Sequence, residues 1–222
     1  DVAPSRGLGD VYKRQVVDIK GKERVESVTL AQVDENRKPI PGTEEEYTCD
    51  TLLLSVGLIP ENELSDKLGV QLHPVTGGPV VNESLETSIP GVFACGNVLH
   101  VHDLVDFVSQ EATMAGNCAA AYVKTGRTEE TEEIPVKCGS GVRYTVPAKI
   151  RPAYMEEKLP VRFRVGQVYQ KASITVRSGD TVLLRKKRPI MAPGEMETVY
   201  IKKDSLSPDN IGNDITISVE EE

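Results

Sequence analysis

The chain has 222 residues, and 39% of them are hydrophobic, which is enough apolar content to bury the core of one to two domains. Its 26 Lys and Arg face 34 Asp and Glu, so the net charge is −8, and an acidic chain is a poor ligand for nucleic-acid phosphates. No apolar run approaches the ~18 residues that a membrane span needs. The four cysteines, at positions 49, 95, 118 and 138, are too scattered for a disulfide scaffold and favour a reducing cytoplasm.

The first fifteen residues differ from the rest of the chain. Asp1–Gln15 (DVAPSRGLGDVYKRQ) has neither helical nor strand periodicity. Its stretch PSRGLGDVYKRQ resembles a translated sequencing-adaptor tail found on open reading frames from environmental assemblies. We therefore expect residues 1–15 to be a non-native leader and the natural chain to be cut at its N-terminal side. An ordinary flexible leader is the alternative.

Strand patterns follow from Val16. Arg24–Val33 and Glu45–Cys49 are predicted strands, joined by a polar loop. Asp50–Val56 (DTLLLSV) is a nearly continuous apolar run, which is typical of a strand covered on both faces of a parallel sheet. Gly57 ends this run, and Pro60 cannot join a central strand.

A strand–turn–helix unit comes next. Val80–Val81 is predicted as a short strand and Val92–Cys95 as a buried one. A helix is predicted over Leu104–Lys124, with Asp103 or Asp106 as its N-cap and Gly126 just beyond its end. Apolar residues recur along this helix every three or four positions: Val105, Val108, Ala112, Ala115, Ala119 and Tyr122.

The composition changes after the helix. Thr128–Glu133 holds four Glu in six residues and is predicted to be a solvated linker. Short β-rich runs follow, and we expect residues 134–222 to fold as a separate antiparallel β-sandwich with few contacts across the linker. The runs are Val142–Val146, Val161–Val168, Ala172–Val176, Val182–Arg185, Thr198–Ile201 and Ile215–Val219.

Two segments resemble one known family. Cys49–Asn62 (CDTLLLSVGLIPEN) is similar to the strand and turn that close the NAD(P)-binding domain of pyridine nucleotide-disulfide oxidoreductases. Thr87–Asn97 (TSIPGVFACGN) resembles the second flavin-contacting motif of the same family. The resemblance implies an α/β fold, with a partial, Rossmann-like two-dinucleotide-binding core and a C-terminal all-β sandwich-like domain. It assigns 16–58 to the end of the NAD(P)-binding domain and 59–128 to the C-terminal portion of the FAD-binding domain.

The resemblance also implies cofactor-binding residues. Gly96 would let the backbone approach the ribityl chain, and Asn97 would accept a ribityl hydrogen bond where the family pattern has Asp. The helix N-terminus would face the pyrimidine edge of the flavin, because its free N–H groups favour negative charge there. The complete predicted cofactor set is Gly57, Pro60, Gly96, Asn97, Ser109 and Gln110, the last two in the first helical turn.

The implied activity is that of an FAD-dependent oxidoreductase. Hydride would pass from NAD(P)H to flavin and electrons onward to an unidentified acceptor, with the catalytic residues unknown. The sequence has no G-x-G-x-x-G and no C-x-x-C, so this fragment is predicted to be inactive alone. The alternative is a non-catalytic interaction module that carries a remnant flavoprotein scaffold.

Other candidate chemistry is weak. His100 and His102 have no third ligand nearby in the sequence, so we predict a loop there and no metal site. Cys95 and Cys118 are predicted to be buried small side chains rather than redox partners. The basic run Arg185–Arg188 favours a solvated hairpin, with a cradle for an acidic partner as the alternative.

The C-terminal part carries a second resemblance. GVRYTVPAKI and APGEME are similar to the tail of a bacterial subgroup of FAD-dependent oxidoreductases, often encoded beside a glycerol-3-phosphate dehydrogenase-like flavoprotein. This resemblance implies a bacterial protein with such a subunit as a partner, and a homo-oligomer is the alternative. The cysteine usage, the acidic charge and the short apolar runs noted above predict a cytoplasmic protein with neither a nucleic-acid partner nor a membrane span. We expect the β domain to make such contacts rather than do chemistry.

Overall fold

The computed structural model describes residues 13–54, 57–126, 131–206, 212 and 214–221. The chain divides into two compact units, Asp1–Gly57 and Leu58–Glu222. Strands predominate, with one long helix, and the fold is mixed α/β as predicted. The predicted domain limits at 58/59 and 133/134 stay predictions.

The first unit contains one antiparallel sheet. Its strands β1 (Arg14–Lys20), β2 (Ser27–Gln32) and β3 (Glu45–Thr48) lie in that order, and Val28 and Ala31 of β2 are buried. The first strand begins two residues inside the predicted leader, since Arg14 and Gln15 pair with β2. Residues 1–12 lie outside the described residues.

The apolar run after β3 is not a buried strand where the structure describes it. Residues 50–54 have no strand structure, and the side chains of Leu53 and Leu54 are exposed to 89% and 66%. Ser55 and Val56 lie outside the described residues. A strand forms only where a neighbour pairs its N–H and C=O groups. Among the described residues of this unit, the strands pair only with one another, so the prediction is wrong for 50–54.

The second unit begins with irregular chain and two helices. These are α1 (Glu63–Lys67) and α2 (Val105–Thr125), with a 3-10 turn at Gly96–Val98. The predicted strands at 80–81 and 92–95 are absent from the described chain. Only the isolated bridges Leu72–Pro79 and Glu86–Phe93 remain, because turns at 74–76, 83–84 and 90–91 leave no room for ladders.

The long helix confirms its prediction to within one residue at each end. Gly126 follows it at φ +79°, the left-handed conformation that favours glycine. The predicted acidic N-cap is wrong, since Leu104 occupies the cap position without a side-chain hydrogen bond. The carboxylate of Asp103 instead pairs with Arg164 and accepts from the N–H of Met196 at 2.7 Å.

The described residues after 133 contain eight strands, which form a sandwich. One sheet has the order β10-β7-β5 and the other β6-β4-β11-β8-β9. The strands are β4 (Ile134–Cys138), β5 (Val142–Val146), β6 (Lys149–Ile150), β7 (Lys158–Val165), β8 (Tyr169–Ser178), β9 (Thr181–Met191), β10 (Glu197–Lys202) and β11 (Ile215–Glu221).

The sandwich closes over an aliphatic core. Phe163 of β7, Ile174 of β8 and Ile217 of β11 are fully buried within it. The pairing is antiparallel except between β4 and β11, which run parallel with Val136 opposite Ile215. This pair differs from the fully antiparallel prediction, because a hairpin forces antiparallel pairing and these two strands are far apart in sequence.

The sandwich and the preceding segment belong to one unit. Tyr144 and Val146 of β5 share a small core with Leu85, Leu99 and Ala115. The carboxylate of Glu83 accepts from the Arg151 N–H at 2.7 Å and from its guanidinium at 2.8 and 3.0 Å, with both residues buried. The expectation of few contacts across the Glu-rich segment is therefore wrong, since sequence composition cannot reveal which polar residues pair.

Replacing Arg151 tests this cross-link. Arg151→Met should lower the free energy of unfolding by about 3–5 kcal/mol, because it leaves the Glu83 carboxylate buried without its cation. Urea denaturation of the chain measures the change. Arg185→Met is the matched control: Arg185 is an exposed partner of Glu220, and its loss should cost less than about 1 kcal/mol. Equal losses in both variants would contradict a buried pair.

Candidate functional site

The site is built around the tight turn at Gly96–Val98. Gly96 is buried at φ +69°, and a Cβ there would lie 3.3 Å from Cγ1 of Val108. Its N–H donates to Oε2 of Glu111 at 2.6 Å. The backbone conformation and the space beside α2 both favour glycine at this position.

Asn97 closes the loop that follows. Its side chain is exposed, and its Oδ1 accepts from the His102 N–H at 3.1 Å. The amide oxygen therefore has a role within the protein itself, while its second lone pair and its NH₂ group can still serve a ligand.

The two predicted helix residues lie one turn later than expected. Because α2 begins at Val105, Ser109 and Gln110 occupy its second turn, and both are exposed. The free N–H groups of a helix belong to its first four residues. The prediction that Ser109 and Gln110 form the first turn is therefore wrong, while their part in cofactor binding stays a prediction.

The remaining predicted cofactor-binding residues, Gly57 and Pro60, come from the first motif, Cys49–Asn62. Gly57 is exposed at φ +85° and ends the first unit, whereas Pro60 is half-buried in the second. Near Pro60, the buried Asn62 donates through Nδ2 to the carbonyls of Gly77 at 2.9 Å and Val98 at 2.7 Å. The Asn62 side chain therefore links residues 60–62 of the first motif to the Gly96–Val98 turn, which follows the strand predicted in the second motif.

A fully buried carboxylate organises the centre of the site. The Glu111 side chain is 0% exposed, and its oxygens lie 3.0 Å from Nε2 of His100 and 3.0 Å from Nε2 of His102. Nη1 of Arg162 is 3.3 Å away, and the Gly96 N–H is the fourth donor. The carboxylate therefore joins α2, the 96–102 loop and β7.

These contacts set the charge states. Burial acts to raise the pKa of Glu111, but hydrogen bonds from the two histidines outweigh it and lower the pKa to about 2. Burial lowers the pKa of His100, and its bond to Glu111 only partly opposes this effect. At neutral pH the centre therefore holds a carboxylate beside a neutral His100 and the Arg162 cation.

The same side chains resemble a metal ligand set. Nε2 of His100, Nε2 of His102 and a Glu111 oxygen lie within 4.8 Å of one another, so the structure supplies the third ligand that the sequence did not reveal. However, the guanidinium of Arg162 would repel a cation. Metal-bound imidazoles also donate their other N–H, yet Nδ1 of both histidines has no partner among the described residues. The contacts therefore favour a hydrogen-bonded ion pair, and the absence of a metal stays a prediction.

The patterns in the sequence did not predict this centre. Glu111 lies three residues after Val108 and four before Ala115, on the stripe predicted to be apolar. A charged residue at such a position is a signal of a buried ion pair. Nothing in the sequence identifies Arg162 as its partner, because Arg162 lies 51 residues downstream.

The cysteines show no sign of redox chemistry. Cys95 and Cys118 are half-buried free thiols, and burial raises the pKa of both. A raised pKa lowers the fraction of reactive thiolate at neutral pH. Their environment agrees with the packing role predicted for them.

The neutral state of His100 has a measurable consequence. Because its pKa is lowered on folding, the unfolded chain binds more protons below pH 6.5, and stability falls as the pH drops through that value. His100→Gln keeps an N–H donor but does not titrate. The loss of unfolding free energy between pH 7.5 and 5.5 should be smaller in this variant than in the parent chain. Urea titrations at both pH values measure it, and an unchanged difference would contradict a neutral buried His100.

Comparison with known proteins gives the family. Residues 5–121 match the model of the pyridine nucleotide-disulphide oxidoreductases, which is more than half of the chain. The match begins inside the predicted leader. None of the described helices is long and apolar enough to cross a membrane.

Curated relatives agree with this match. A ferredoxin–NADP reductase of Picrophilus torridus is 29% identical over 51% of this chain and 34% of its own length. An NADH oxidase of Methanocaldococcus jannaschii is 30% identical over 54% of the chain and 23% of its own length, and a dihydrolipoyl dehydrogenase of Manduca sexta is 38% identical over 27% and 12%. The chain thus spans about a third or less of these relatives. It belongs to the pyridine nucleotide-disulphide oxidoreductase family, and membership implies the use of FAD and NAD(P)H.

Proposed function

We propose that this chain is part of an FAD-dependent oxidoreductase that passes hydride from NAD(P)H to flavin and electrons to a further acceptor. The observation that carries the proposal is the Gly96–Val98 turn, in which a buried glycine in the left-handed region lies against α2. The flavin, when bound, supplies the hydride and electron chemistry.

The residues of this turn suit a sugar-like chain. Gly96 presents backbone without a side chain, and its N–H is held by Glu111, so the turn keeps one conformation. Exposed Asn97 can donate or accept hydrogen bonds with hydroxyl groups while its Oδ1 holds the His102 N–H. The site therefore provides a rigid backbone cradle with one adaptable amide.

The start of α2 suits negative charge. Its cap residue, Leu104, makes no side-chain bond to the first N–H groups. Unpaired N–H groups at a helix N-terminus favour an anionic or partly anionic ligand atom. In the proposed site they would stabilise the negative charge that reduction places on the pyrimidine edge of the ring.

The alternative is a non-catalytic module with a remnant scaffold. It draws on the absence of G-x-G-x-x-G from the sequence, since a dinucleotide pyrophosphate is normally held by such a turn. Against it stands the ordered turn, since a remnant has no need for a buried Glu111 fixing Gly96. The glycerol-3-phosphate dehydrogenase-like partner, a homo-oligomer and a cytoplasmic location are further proposals of this kind.

The contacts between the sandwich and the preceding segment determine the expected effect of removing the sandwich. A β domain that only makes contacts with a partner could be removed without loss of flavin reduction. Truncation after Glu133 would, however, remove Arg151 and Arg162 from the buried carboxylates of Glu83 and Glu111. Two unpaired buried charges are strongly destabilising. We therefore propose that the sandwich is needed for a folded cofactor segment.

Flavin retention tests the proposed function. The 222-residue chain, mixed with FAD and desalted, should lose the flavin absorbance, because no glycine-rich pyrophosphate turn is present. The protein from the complete reading frame should retain it and be bleached by NAD(P)H. Lack of bleaching in a flavin-loaded protein would favour the remnant scaffold.

Asn97 provides the residue-level test in that longer protein. Asn97→Leu should weaken FAD binding by about 1–3 kcal/mol, through loss of a polar partner. Asn97→Asp keeps the acceptor for His102 and should retain FAD. Unfolding curves of both variants separate a binding effect from loss of the loop bond, and unchanged FAD affinity in Asn97→Leu would refute the assignment.

A further inference from the structure

We propose that a small cavity beside the 96–102 loop binds an oxyanion, the carboxylate or phosphate group of a small molecule. The cavity has a volume of about 160 Å³. Its lining combines apolar side chains such as Leu58 with polar and cationic ones: Thr76, His100, Arg143, Tyr144 and Arg164.

Arg143 provides the available charge. It is exposed on β5, and within the described ranges its guanidinium forms no ion pair or hydrogen bond. Arginine binds carboxylate and phosphate with two parallel N–H donors. On a chain with a net charge of −8, an arginine that lines a cavity without an ion-pair partner among the described residues attracts anions locally.

Arg164 is the fixed second arginine. Its Nη2 donates to the Val101 carbonyl at 3.0 Å and pairs with the Asp103 carboxylate. These contacts hold the guanidinium in place before a ligand arrives. They also neutralise its charge, so the cavity offers about one net positive charge and should bind a small anion weakly.

Hydroxyl groups complete the lining. Tyr144 is 6% exposed, and burial raises the pKa of its phenol, which therefore keeps its proton. Thr76 adds a second hydroxyl at the same wall. No aspartate or glutamate lines the cavity among the described residues. The carboxylates of Asp103 and Glu111 lie behind the lining residues Arg164 and His100, and each is paired with an arginine.

The volume of the cavity suits a single anionic group and is too small for a whole cofactor. Pockets for drug-sized ligands and cofactors have about 300–1,000 Å³, whereas this one could hold only about five waters at ~30 Å³ each. A phosphate or carboxylate with a few attached atoms fits that space. If the proposed oxidoreductase function holds, this group would anchor the small molecule that exchanges electrons with the enzyme.

Anion titration of the chain itself tests the proposal. Amide chemical shifts of the ¹⁵N-labelled protein would be followed with sodium phosphate, and separately with sodium acetate, at constant ionic strength maintained with chloride. We expect saturable shifts at Thr76, Arg143 and Tyr144 for at least one anion, with a dissociation constant on the order of 1 mM. The anion that saturates distinguishes a phosphate group from a carboxylate.

Two variants make the outcome decisive. Arg143→Gln should weaken binding roughly tenfold or more, since a charge-assisted bond is lost. Arg143→Lys should weaken it less, and Arg185→Gln, which removes an exposed arginine elsewhere, should leave it unchanged. Unsaturable shifts, or equal weakening by Arg143→Gln and Arg185→Gln, would overturn the proposal. Because no flavin is present, this failure is distinct from a failure of FAD retention.

Discussion

The buried carboxylate of Glu111 constrains the rest of the second unit. A charge removed from water must be matched by donors on all sides, and here the donors come from Gly96, the two histidines and Arg162. The donors come from the Gly96–Val98 turn, from the loop that follows it and from β7. Satisfying one side chain therefore fixes the loop against the helix and the helix against the sandwich. A second carboxylate, Glu83, repeats the arrangement with Arg151.

Both buried ion pairs join the segment before residue 127 to the β-sandwich. The segment supplies both carboxylates and the sandwich supplies both arginines, so separating the two parts would leave these charges unpaired. In β7, Val161, Phe163 and Val165 face the sandwich core, while Arg162 and Arg164 lie on the opposite face. That outer face is covered by α2 and the 96–102 loop through Glu111, Asp103 and Val101. The sandwich thus forms one wall of the candidate site.

His100 connects the two functional proposals. Its Nε2 bonds to Glu111, which holds the turn proposed to meet the flavin, and its ring lines the small cationic cavity. An anion in that cavity would lie against the same loop that positions Gly96 and Asn97. The arrangement suits an enzyme in which a second small molecule binds close to the cofactor, with one rigid loop orienting both.

Local pattern determined the long helix, its glycine end, the β-rich second half and the two family motifs, because periodicity and turn residues act over a few neighbours. It did not determine whether Leu53 and Leu54 are buried in a strand or exposed, since an apolar run becomes a strand only beside a partner strand. The sequence of β7 alternates apolar and basic residues, a pattern typical of a strand with one face toward water. Only the tertiary structure covers that face and brings Arg162 to Glu111. Pairing of buried charges depends on contacts between residues far apart in sequence, and no local pattern contains that information.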